Sequence, residues 1–198
     1  MESYREKVRA YYKSYYEEGD EAHLIDHADD VCDLALRINK TCNEKLVILA
    51  SYMHDMFNAT NRATHNELAY AHALKAEDEF LQELSEKELS EKELLEVAHA
   101  LLEHRASFKG VFYSPLSELL SSADRGLPDL DFIVVRSMKF NKENEEGVHE
   151  HIKDKYGSHG YAKYPKVYQE MFREELMAFQ KRADNLTVEG VLEIWNKR

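Results

Sequence analysis

Apolar residues recur along this chain at helical spacing, and only three prolines and seven glycines punctuate them. The spacing predicts a first helix over residues 2–18, with Tyr4, Val8, Tyr11 and Tyr15 on one face and Gly19 at its end. Asp20 is placed to cap a second helix to about residue 40, with Leu24, Ala28, Val31, Ala35 and Ile38 inward. Asn43 caps a third, whose inner face is Leu46, Ala50, Met53 and Phe57. Thr64, with Glu67 in capping-box position, starts a fourth that reaches about Leu84. A doubled SEKEL then reads as an exposed turn, followed by a helix capped by Ser90 and Glu93 and running to about Arg105. Ser114-Pro115 opens another, which ends at Asp124 before Gly126 and Pro128. DFIVV fits a short strand but reads as helix in this all-α context, and further helices are expected near 143–155, 165–182 and 187–197. The expected fold is therefore all-α.

The length suits one compact domain, and 43% hydrophobic with 32% charged residues is a folded composition. A net charge of −12 opposes binding to a nucleic-acid polymer or an anionic membrane. It leaves room for a small anionic substrate held by a metal and local cations. No apolar run is long enough to cross a bilayer. The charged, tyrosine-rich start lacks a signal-peptide core, so a cytoplasmic protein is expected. Cys32 and Cys42 have no metal-type spacing and read as reduced structural residues. The YYKSYY cluster reads as packing rather than a base-stacking platform.

The chemistry concentrates in the stretch SYMHDMF. Burying His54 and Asp55 side by side among Met53, Met56 and Phe57 costs free energy unless both are satisfied, and one metal ion satisfies both. Other donors lie at helical positions facing the same core. His27 shares the apolar face of the second helix, His104 ends the fifth and Asp124 the sixth. Helix bundles build metal sites in this way. A lone histidine on an apolar face is usually a hydrogen-bonded core residue, as His72 and His99 read here. His23, His149, His151 and His159 lie in polar surroundings and read as surface residues.

In chain order, HLIDHADDVCDLA, LASYMHDMF, EHRASFKG and SPLSELLSSADRG resemble the HD-domain superfamily of metal-dependent phosphohydrolases, over about residues 20–137. The resemblance implies a single HD-type helical domain over 1–198. Its core would span about 20–137, with an added N-terminal helix and a C-terminal helical elaboration over about 140–198. It implies that His27, His54, Asp55 and Asp124 bind one divalent ion. Members with two ions use further histidines. His104 resembles one of these, and His65, followed by the small Ala69, resembles the other, with His72 the fallback. The spacing from Asp55 to His65 is shorter than in many members.

This donor set suits manganese, iron, zinc, cobalt or nickel, as one or two ions per chain. Such an ion lowers the pKa of bound water from about 16 to near 7 and polarises a phosphoryl oxygen. Asp55 would bridge two ions, or bind one and orient the attacking water. Arg105, Lys109 and Arg125 are the expected phosphate-binding cations, with a solvated surface role as the alternative; Arg136 and Lys139 rank below them. Lys153, Lys155, Lys163 and Lys166 surround a glycine- and tyrosine-rich loop that either closes over an anion or is an ordinary connection. The expected function is hydrolysis of a phosphoester or phosphoanhydride, in a nucleotide by family association. The partner is a small phosphorylated substrate, and an oligomer is compatible with the sequence. The alternatives are a non-catalytic nucleotide-sensing protein of the same fold and a di-iron oxygenase.

Overall fold

The computed structural model describes residues 3–17, 23–140 and 144–197. The described residues form an all-helical protein without strands, in two compact units, Met1–Gly126 and Leu127–Arg198. No helix among them is long and apolar enough to cross a membrane.

The first unit contains α1 (Tyr4–Tyr12), α2 (Ile25–Ile38), α3 (Glu44–Met53), α4 (His65–Lys75), α5 (Glu79–Lys87), α6 (Glu91–Glu103) and α7 (Pro115–Asp124). Helix α3 is its axis and packs against α1, α2, α6 and α7, while α4 lies along α6. Caps read from the sequence fix several boundaries. Asn43 Oδ1 accepts from the Lys45 N–H at 3.0 Å. Ser90 and Glu93 close a capping box, and the Ser114 hydroxyl accepts from the Ser117 N–H before α7. Gly126, at φ +66°, ends α7 in a left-handed conformation that favours glycine.

Several expectations for this unit differ from the structure, and α2 begins at Ile25 with Leu24 as its N-cap rather than on its inner face. Helix α1 gives way to a 3₁₀ turn over Lys13–Tyr16, and Val8 and Tyr12, four residues apart on α1, are buried with Tyr16 rather than Tyr11 and Tyr15. Helix α3 stops at Met53, leaving His54 at its C-cap and Phe57 in the turn beyond. The helix expected over 64–84 is two. Ala76 takes a left-handed conformation at φ +45°, and Asp78 caps α5 by accepting the Leu81 N–H at 2.7 Å. The Thr64 side chain makes no cap hydrogen bond. The cap expected of Asp20 and the stop at Gly19 lie outside the described residues.

Asp78 also explains His72. Its carboxylate accepts from His72 Nε2 at 2.8 Å and from the hydroxyl of the fully buried Tyr12 at 3.1 Å. His72 is thus held in a structural network that ties α1 to α4 and α5. Burial pushes the Asp78 carboxyl up, but the His72, Leu81 and Tyr12 donors outweigh it and hold it below its ordinary value. Asp78→Ala is therefore expected to destabilise the fold by about 2–4 kcal/mol, the sum of a lost cap and stranded buried donors, read from urea unfolding. Because the folded value is depressed, the carboxylate's contribution is present above the unfolded value of about 3.9. It is lost as pH falls from there through the folded value.

The second unit contains α8 (Leu130–Phe140), α9 (Glu145–Tyr156), α10 (Lys166–Met171), α11 (Arg173–Asp184) and α12 (Val188–Asn196). DFIVV is helical, as expected, and belongs to α8, which groups with this unit rather than with the preceding helices. Val134, Val148, Ile152, Tyr168, Phe179 and Val191 form its core. The helix expected over 165–182 breaks at Phe172 into α10 and α11. The lysine-bearing loop is pinned to its own unit. The Tyr161 and Ala162 N–H groups donate to the carbonyls of Asp154 and Lys155, and Ser158 N–H donates to Asp184.

Candidate metal centre

Five elements of the first unit bring six donors together. His27 comes from α2, His54 and Asp55 from the end of α3, His65 from the start of α4, His104 from the end of α6 and Asp124 from the last residue of α7. They fall into two adjacent groups, His27, His54 and Asp124, and Asp55, His65 and His104. Asp55 serves both. Its Oδ2 lies 3.7 Å from His27 Nε2 and 3.5 Å from His54 Nε2. Its Oδ1 lies 3.1 Å from His65 Nε2 and 3.6 Å from His104 Nε2.

Three of the imidazoles are oriented by one device. His54, His65 and His104 each direct Nδ1 at the carbonyl three residues earlier, those of Ser51, Arg62 and Leu101, at 2.7, 2.9 and 2.7 Å. Ser51 and Leu101 lie in last helical turns, whose carbonyls lack intrahelical donors. Nδ1 is therefore the protonated nitrogen, and in the neutral ring Nε2 carries a bare lone pair.

The consequence is sharpest between His65 and His104, whose Nε2 atoms face one another at 3.2 Å. Two lone pairs at that distance repel one another unless a proton or a metal ion lies between them, and the neighbouring carboxylate favours either. Donors on one ion at about 2.0–2.2 Å stand about 2.8–3.6 Å apart for octahedral to tetrahedral angles. Two of the separations fall in that range, His27 to Asp124 at 3.3 Å and His27 to His54 at 3.4 Å, and His54 to Asp124 lies just beyond it at 3.7 Å. Each donor group fits a divalent ion, and Asp55 has an oxygen directed at each group.

The electrostatics agree. Burial, the largest influence, drives the His54 imidazole down to about 4, so it is neutral and ready to bind. Burial pushes Asp55 up, but the imidazoles of His54, His104 and His65 hold it well below the usual carboxylate range. Asp124 is likewise raised by burial and lowered further by His27 and its neighbours. At His65, burial opposes charge and the bond to Asp55 outweighs it, raising the pKa, so a proton is favoured there in the absence of metal. The His54 side chain is 0% exposed and Asp124 21%, so the cluster opens to solvent on the His27 and Asp124 side.

The cations named from the sequence are less uniform. Arg105 Nη1 donates to the Ala63 carbonyl at 2.5 Å, bracing the turn that leads into His65. Arg125 Nη1 donates to the carbonyls of Ser121 and His104. Lys109 is exposed in the loop after His104. Buried Glu103 anchors that loop by accepting the Tyr113 N–H at 2.8 Å, and His99 stacks on Tyr113 at 4.0 Å. The orienting carbonyls and Ser121 carry no side-chain signal that singles them out in the sequence. The i−3 offset from each histidine is the only trace of the former.

Comparisons with protein-family models, with curated proteins and with solved structures gave no significant match.

Proposed function

We propose that this chain is a metal-dependent phosphohydrolase of the HD type, acting on a phosphoester or phosphoanhydride of a small substrate such as a nucleotide. The facing Nε2 atoms of His65 and His104 beside the Asp55 carboxylate carry the reading, because a divalent ion between them would satisfy all three donors at once. Its likeness to the HD pattern supplies the reaction class.

His27, His54 and Asp124 would hold one ion, and His65 and His104 the other, with Asp55 shared. Divalent ions there would acidify water and polarise a phosphoryl oxygen. The chain's own part is to fix geometry. The carbonyls of Ser51, Arg62 and Leu101 hold three imidazoles with Nε2 inward. Asp55 orients the attacking water through the carboxylate both subsites share. The wall of α3 and α6 excludes solvent behind His54 and His104, so the substrate's phosphoryl group enters past His27 and Asp124. Arg105 and Lys109, flanking the loop after His104, are the cations we assign to the substrate's remaining charge.

The test is a panel of phosphorylated metabolites with manganese, cobalt or nickel added to chelator-stripped protein. Release of phosphate, pyrophosphate or a nucleoside monophosphate, abolished by chelation, is expected. No turnover with any of these metals refutes the reading. The placement of both His65 and His104 on Asp55 favours a second reading, a di-iron oxygenase. Dioxygen consumption that depends on iron, without phosphate release, would select it.

A further inference from the structure

Arg125 follows Asp124 directly, which suggests a phosphate contact. Its hydrogen bonds give it another task. The last turn of α6 leaves carbonyls without intrahelical donors. The His104 ring takes that of Leu101. The carbonyl of His104 itself is taken by α7, where the Ser121 hydroxyl donates to it at 2.9 Å and Arg125 Nη1 at 3.3 Å. The same Nη1 donates to the Ser121 hydroxyl oxygen at 2.8 Å and to the Ser121 carbonyl. Ser121 is fully buried.

One guanidinium and one hydroxyl thus join the end of the helix that carries His104 to the end of the helix that carries Asp124. These two ligands belong to different donor groups. Ligand atoms must be held within about 0.2 Å for a metal site to keep its affinity. A hydrogen-bonded main-chain carbonyl fixes the spacing of two helix ends more closely than apolar packing, which is non-directional. A planar guanidinium serves here because it is always charged and its donors are fixed in one plane.

We infer that Arg125, acting through Ser121 and the His104 carbonyl, is a positioning residue that sets the spacing of the two metal subsites and holds His104 at the second. This rests on the two-ion reading proposed above. It removes Arg125 from the phosphate-binding set and leaves Arg105 and Lys109 in it.

The test is a cobalt titration of chelator-stripped wild type, Arg125→Gln and Ser121→Ala, followed by equilibrium dialysis with metal analysis and by cobalt visible absorption. The wild type is expected to take up two ions. Both variants should bind the first with wild-type affinity and the second more weakly. Loss of a partner behind a metal ligand costs about 10–100-fold, and the upper end is expected for Arg125→Gln. Ser121→Ala changes one buried hydroxyl and touches no substrate, so it carries the test alone if Arg125→Gln does not fold. At saturating metal, kcat should fall while KM for a phosphorylated substrate stays near wild type. Wild-type affinity for the second ion in Arg125→Gln, or in Ser121→Ala where that variant stands alone, overturns the inference. A raised KM with unchanged metal binding does so too, and makes Arg125 a phosphate contact. A wild-type protein that takes up no second ion fails the underlying reading, is recognised before any variant is made, and takes the inference with it.

Discussion

Asp55→Ala is expected to empty both metal subsites at once, taking bound metal from about two ions per chain to near none and hydrolysis to the level of the chelated protein. Among the described residues Asp55 alone faces both groups with separate oxygens, Oδ2 towards His27 and His54 and Oδ1 towards His65 and His104. The carboxylate also supplies the negative charge that makes a cation favourable among four imidazoles; without it, a dication in a buried site meets neutral donors on one side. The loss should appear as metal content on purified protein, with circular dichroism confirming that the helices remain. Two ions retained in Asp55→Ala would show that the carboxylate is not the bridge.

The second large effect separates the subsites. His104→Ala is expected to lower metal content from about two ions towards one, because a subsite of Asp55 and His65 alone keeps too few protein donors. His54→Ala and Asp124→Ala should strip the other subsite and abolish hydrolysis, since each removes a donor from the group that opens to solvent. In His54→Ala the loss is compounded. His54 is buried at the centre of the unit, and its Nδ1–H is the donor for the Ser51 carbonyl. If His104→Ala instead keeps its metal and only weakens turnover, His104 touches substrate rather than an ion. Equal loss from all three variants would mean that the ions bind as one cooperative unit.

How far the sequence reaches is clear from where it succeeds. The convergence of His27, His54 and Asp124 was legible because helical periodicity puts each donor on a core-facing position or at a capped helix end. Ser114-Pro115 and Gly126 bracket α7 closely enough to place Asp124 in its last turn. The preference for His65 over His72 came from the resemblance, and the structure places His65 at Asp55 and His72 at Asp78. Both follow the dyad on one helix, and only the compact turn after Met53 brings the first residue of α4 back to Asp55.

Three helix ends without glycine or proline, at Met53, Ala76 and Phe172, were not legible. The break at Ala76 is accompanied by the network of Asp78 with Tyr12 and His72, and that at Phe172 by a non-helical backbone between α10 and α11. The stop at Met53 is similar, since the His54 ring replaces the next backbone donor to Ser51. The tie from Arg125 and Ser121 to a main-chain carbonyl leaves no side-chain pattern at all.

Anomalous X-ray scattering at the zinc edge, from crystals of the protein grown with zinc, tests the cation site most directly. Two peaks are predicted on either side of Asp55. One should lie about 2.0–2.2 Å from His27 Nε2, His54 Nε2 and an Asp124 oxygen, and the other at that distance from His65 Nε2 and His104 Nε2. Zinc bound elsewhere on the chain, with no peak among these six side chains, would contradict the account.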